Sequence, residues 1–233
     1  MSDIIPPPSP TIPTSSVAAV PPATLSWRRG LAAVAIRASV SFLVLGSFLV
    51  PPPPAAARQA LVITPLVERT VAELPPGPLF WRIETFPSLA QAQAQATAGP
   101  TALVTEAAGR VWLFTLGPAG GASPGGAKAA EVGPIPEVSA PRYLLRINDL
   151  SGPPGGATPV HTHPGSEAFY VLAGETSQRT PHGMASIAAG QSMAGHGADT
   201  VMQVSNSSPT DLHALVMFVV DATRPFTSPA SFQ

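Results

Sequence analysis

The sequence predicts an all-β fold, a barrel or sandwich of short strands that begins only after a long N-terminal leader. Three observations predict it. Short apolar runs recur at about ten-residue spacing from Leu61 onward, separated by Gly, Pro, Asn and Asp. Several of them alternate, or carry β-branched and aromatic residues, as half-buried strands do. Only one stretch reads as a helix. Thirty prolines and 20 glycines in 233 residues could signal disorder, but many of the prolines fall in the first 54 residues and the rest sit between apolar runs.

The leader comes first. Residues 1–26 are rich in Pro, Ser, Thr and Ala and cannot bury enough apolar surface to order themselves. Arg28-Arg29 and Arg37 then precede an uncharged run over 38–50. That run is short for a bilayer span and suits the apolar part of a secretory signal. Pro51 to Pro54 stop any helix, and Ala55-Ala56-Ala57 offers the small residues a signal peptidase needs, with cleavage expected before Arg58. The expectation is export to a periplasmic or secreted location, with no stable membrane span in the mature form. The alternatives are an uncleaved anchor over 31–50, which would bury Arg37, or a true start downstream of residue 26. The twin arginine is a weak hint of export in the folded state.

Candidate strands lie at 79–86, 102–106, 110–116, 143–148, 168–172, 184–187, 201–205 and 212–220. Ala107-Ala108-Gly109 reads as a hairpin turn between two of them. The helix is expected over 88–98, with Ser88 as N-cap ahead of an Ala/Gln run, and 117–126 as a Gly/Pro-rich loop. The expected organisation is a leader over 1–57, additional strands and loops packing on the barrel over 58–143, and a barrel core over 144–225. A degenerate second barrel within 61–140 is the alternative.

Charge excludes one class of partner. The net charge is −1 and the longest basic cluster is Arg28-Arg29, so no positive stripe exists to neutralise a nucleic-acid backbone. Removing residues 1–57 takes three arginines and Asp3 from 12 basic and 13 acidic residues, leaving 9 and 12, a formal charge of −3. With no cysteine there is no disulfide, thiolate metal site or thiol nucleophile. Any metal must be held by histidine and carboxylate.

Two of the five histidines stand one residue apart in the segment from Gly155 to Glu175. His161 and His163 would project to the same face of an extended strand. After the Pro164-Gly165 turn, Glu167 opens the next strand, which can bring its carboxylate back beside the imidazoles. Two imidazoles and one carboxylate leave open positions on a metal and suit non-haem Fe(II), with Mn, Ni, Co or Zn also feasible.

This segment resembles the first sequence motif of the cupin family: Gly155, His161, His163, Glu167 and Gly174 match every position. The resemblance spans roughly residues 144–221. It implies a cupin (RmlC-like) jelly-roll barrel with one divalent metal inside, held by His161, His163 and Glu167, and commonly a homodimer. The second motif frays. Gly190 and Asn206 can anchor it, but His196 stands where a proline is expected, and the fourth ligand falls on Val201 or Met202. A thioether is a poor ligand for a hard, oxygen-activating metal. Candidates for an additional ligand or pocket wall are therefore His196, Met202, Gln203, Tyr170 and His213. The plainer readings are a surface-turn histidine for His196, an exposed one for His182, a solvent-facing Gln203, and core packing for Tyr170 and His213. Arg142 and Arg146 could pair with an anionic substrate or lie on the surface.

The expected function is an exported metal-binding cupin, of dioxygenase type on a small organic substrate, with a lyase, isomerase or decarboxylase as variants. The alternative is a non-catalytic module that binds a small molecule, favoured by the sparse acid/base inventory. A purely structural jelly roll is the third reading.

Overall fold

The computed structural model describes residues 59–97 and 99–233. The leader, with its export signal or its anchor over 31–50, lies outside the described residues. Among the described residues no helix is long and apolar enough to cross a membrane. In chain order the elements are β1 (Val62–Val71), β2 (Phe80–Phe86), α1 (Leu89–Ala96), β3 (Ala102–Ala107), β4 (Arg110–Gly117), β5 (Ala127–Val132) and β6 (Tyr143–Gly152). There follow β7 (His161–Thr162), β8 (Gly165–Ala173), β9 (Glu175–Thr180), β10 (Gly183–Ala188), β11 (Ser192–Ala194), β12 (Gln203–Asn206), β13 (Leu212–Asp221) and β14 (Ser228–Pro229).

Strands β1, β6, β13, β8 and β11, in that order, form an antiparallel five-stranded sheet. Facing it is a second layer, made of β10-β9-β12 and the short pair β14-β7, bridged through the backbones of His161 and Met202. From β6 to β13 the chain steps between layers: β6, β8, β11 and β13 lie in the first, and β7, β9, β10 and β12 in the second. That alternation winds the jelly-roll barrel, and the all-β expectation holds. Gly174 turns one corner, from β8 into β9. Its φ is +74°, and a Cβ there would stand 2.7 Å from the Asp211 carbonyl oxygen, so both conformation and space call for glycine.

The five-stranded sheet is buried on both faces. Ala214, Val216, Phe218 and Val220 of β13 pack into the roll with Phe169 and Val204. Leu215, Met217 and Val219 of the same strand pack outward. Such a strand reads as a continuous apolar run rather than an alternation, which is how residues 212–220 appear.

The outward face is covered by the sheet β3-β4-β2-β5, through Trp81, Ile83, Trp112, Phe114 and Leu116. This sheet is one layer, without the stepping that builds the roll. Ala108 and Gly109, both at positive φ (51° and 67°), make the two-residue hairpin between β3 and β4. Helix α1 lays Ala92 on Phe86, Ala102 and Leu113, and Ser88 caps it by accepting from the Gln91 amide. Also in β2, Glu84 is fully buried. It accepts from Arg82 Nε at 3.0 Å, and from the Ser123 amide and hydroxyl, each at 2.7 Å.

Not every strand follows the expected division of the chain. Strand β1 lies within the stretch expected to pack on the barrel, yet it pairs with β6 in the roll's own sheet. Strands β1, β5, β7, β9, β11 and β14 fall outside the expected set. The expected strand at 201–205 begins only at Gln203.

Candidate metal centre

Strand β7 positions the first histidine. The main chains of His161 and Met202 exchange two hydrogen bonds at 2.9 Å. Two residues on, the His163 ring lies beside that of His161, with centroids 4.8 Å apart and planes at 82°. Glu167 arrives from β8, directly across from Phe218 of β13. All three line one pocket of about 300 Å³, and all three are buried, at 8%, 4% and 3% exposure.

The tautomers follow from the hydrogen bonds. His161 Nδ1 lies 2.8 Å from the Pro159 carbonyl oxygen, and His163 Nδ1 lies 2.6 Å from that of Phe226. A carbonyl can only accept, so each Nδ1 donates, and in the neutral form of either ring the lone pair lies on Nε2. Metal-ligating histidines are oriented in this way. The His163 ring is enclosed by Phe218 and Phe226, at 4.9 and 4.8 Å. This burial pushes its pKa down to about 4, outweighing the Phe226 carbonyl, so the ring is neutral near pH 7. Burial pushes Glu167 the other way, up to about 8, against the opposing pull of the Gln178 amide that donates to its Oε1. The same amide nitrogen lies 3.4 Å from Met202 Sδ.

Among the described residues, no group of three His, Cys, Asp or Glu side chains lies close enough together to hold a metal ion. The imidazoles are paired, but the carboxylate is bonded to Gln178, an amide from a polar strand that the sequence reading did not anticipate. The predicted triad is gathered in one pocket and not closed. Its donor chemistry still fits a divalent cation: two Nε2 lone pairs, and a buried carboxylate with no ion-pair partner among the described residues, whose ionised form a cation would restore.

The remaining candidates lie elsewhere. Met202 is buried against Gln178 and is not part of the pocket wall. Gln203 Nε2 donates to the Thr158 carbonyl at 2.9 Å. Tyr170 packs edge-on against Trp112, on the outward face of the sheet. His196 lies 6.0 Å from the ring of His182, away from the pocket. His213 Nε2 meets Asp149 Oδ2 at 2.6 Å, also outside it. Arg142 is exposed. Arg146 does line the pocket, but its Nε donates to Glu68 at 2.8 Å and its head lies 4.2 Å over the Phe226 ring.

Sequence reasoning passed over Asn148, Gln178 and Phe226. For Asn148 there was a signal: Arg146, Asn148 and Leu150 are the alternate residues of a strand whose other face is Leu145 and Ile147. The polar run over 175–180 after the motif glycine gave a fainter one for Gln178. Phe226 had none, because it lies beyond the expected core.

No family model matches the chain, and no curated protein matches it. Solved structures similar to it include a candidate sugar phosphate isomerase from Acidithiobacillus ferrooxidans, at 27% identity over 31% of this chain and 48% of that one, TM-score 0.28. Another is an uncharacterised protein with a double-stranded β-helix domain from Klebsiella pneumoniae, at 19% identity over 38% and 76%, TM-score 0.33. A third is a cupin-like protein from Thermotoga maritima, at 16% identity over 37% and 64%, TM-score 0.33. The chain thus spans about half the length of the first of these, and about two thirds of the third.

Proposed function

We propose that this chain is an exported, metal-dependent cupin of oxygenase type, acting on a small organic molecule in the pocket beside His161 and His163. One observation carries the reading. Both histidines spend Nδ1 on main-chain carbonyls and keep Nε2 for another partner, in a buried pocket that also holds Glu167. His161, His163 and Glu167 would hold the ion, Fe(II) first, with Mn(II), Ni(II), Co(II) or Zn(II) as alternatives. Such an ion supplies electrophilic activation and, as Fe(II), a site for dioxygen. The chain's own residues do the rest. Phe218 and Phe226 exclude water from the imidazoles, Gln178 holds the Glu167 carboxyl, and Leu150, Phe169 and Val216 offer the substrate an apolar wall.

Elemental analysis of the purified chain tests this directly. About one metal ion per chain is expected in the wild type, and near none in His161→Ala or His163→Ala, with the melting transition retained. Oxygen uptake after Fe(II) loading, with candidate phenols, thiols or diketones, then tests the reaction class. Metal content unchanged in both variants would sink the reading. A second reading, non-catalytic capture of a small molecule, is favoured by the bond between Glu167 and Gln178, which leaves the carboxyl engaged within the protein. Stabilisation by ligand without turnover would select it.

A further inference from the structure

The inner face of β6 carries Arg146, Asn148 and Leu150 along the pocket wall. Arg146 is committed to Glu68, and Leu150 is apolar. Asn148 between them is only 2% exposed, and its Oδ1 has no hydrogen-bond partner. The register says why. Asn148 stands across from Val216 on β13 and from Pro65 on β1, and neither side chain can donate. A buried amide oxygen left in this state is a net cost to folding, and an apolar residue of similar size would remove that cost. Asn148 also belongs to the wall of the pocket that holds Glu167. Phe218 is paired with both Arg146 and Glu167, so Asn148 lies two residues along and two strands over from Glu167. That offset is about 10–12 Å between Cα atoms, the span of a molecule of about two fused rings.

We infer that Asn148 is the specificity-determining contact of the pocket: it selects a neutral, largely apolar small molecule whose hydroxyl or N–H group donates to Oδ1. The inference rests on the small-molecule pocket proposed above but not on its metal. Among the described residues of the wall, Arg146 is the one arginine or lysine, and its head is paired with Glu68. The donor therefore discriminates, because a ligand without it leaves the amide oxygen desolvated and unpaired.

The test uses the full chain, metal-free and Fe(II)-loaded, with two isosteric probes, 2-naphthol and 2-methylnaphthalene. The wild type is expected to bind 2-naphthol roughly tenfold more tightly. Asn148→Leu is expected to reverse that preference and to raise Tm by about 2–4 °C, since it deletes an unpaired polar group. Asn148→Ala, which leaves a small cavity in place of added bulk, is expected to lose the preference as well. Equal affinity for the two probes or failure to bind either in the wild type, a preference for 2-naphthol surviving in either variant, or a lower Tm in Asn148→Leu overturns the inference. Metal content read on the same samples separates the two proposals. Discrimination by a protein that takes up no metal leaves this inference standing and removes the metal reading; metal uptake without discrimination does the reverse.

Discussion

Glu84 in the four-stranded sheet is 0% exposed and Glu167 in the roll 3%, yet the two carboxyl groups live in opposite conditions. Burial alone would push both pKa values up. At Glu84 the hydrogen bonds from Ser123 and Arg82 outweigh it and hold the group below its ordinary 4.5. At Glu167 a single amide opposes burial, and the pKa rises to about 8. The outer sheet thus treats a buried charge as structure, matching it with donors from β2 and the loop after β4. The roll leaves its carboxyl short of partners, together with the unpaired oxygens of Asn148, Ser166 and Gln178. Among the described residues these departures from full polar pairing fall in strands of the roll and not in the outer sheet, and one of them, Asn148, lines the pocket.

Breaking the outer arrangement should have the largest effect. Glu84→Ala strands the Arg82 guanidinium and both Ser123 donors, and is expected to cost about 3–5 kcal/mol in denaturant unfolding near pH 7. Because the folded pKa of Glu84 is lowered, its contribution is present above pH 4.5 and fades as pH falls. The wild-type and variant curves should therefore converge in acid, and a constant gap down to pH 3 would contradict the assignment.

Glu167→Gln should act with the opposite sign. A raised folded pKa means that Glu167 favours the folded state fully below pH 4.5, and that this support is lost as pH rises through about 8. His163, lowered from 6.5 to about 4, supports the fold above pH 6.5 and loses that support as pH falls through about 4. Melting of the metal-free wild type across pH 4 to 9 should decline on both limbs. The variant should lose only the alkaline decline, gaining about 1–3 kcal/mol over the wild type at pH 8. An unchanged alkaline limb would show that Glu167 is solvated or paired by other means. Smallest of all, His213→Ala removes the partly exposed pair with Asp149 and should cost less than about 1 kcal/mol. Metal content and probe binding should stay as in the wild type, because that pair lies outside the pocket.

What the sequence revealed follows the same division. Runs whose apolar character survives by themselves, such as those of β2, β4, β8 and β13, were legible as strands. Strand β1 was not, because it is an edge strand with most of its residues exposed and carries Pro65. Strand β9 was not, because Glu-Thr-Ser-Gln-Arg-Thr has no apolar face, although Thr176, Ser177 and Gln178 are buried. The same limit applies to the site. Spacing and glycines marked His161, His163 and Glu167. The partners that decide their state depend on inter-strand register and on the return of the chain after β13: Gln178 on the carboxyl, Phe226 on the imidazole, Val216 and Pro65 beside Asn148. None of these can be read from neighbours in sequence.

The bond from His163 Nδ1 ends on the backbone oxygen of Phe226 and not on its side chain. The ring orientation is therefore indifferent to which amino acid occupies position 226 and sensitive to how many residues separate β13 from β14. Substitutions there would alter the phenyl cover of the imidazole while leaving its proton where it is. One residue inserted or removed between Asp221 and Ser228 would move the acceptor itself, and with it the nitrogen that the ring presents to the pocket.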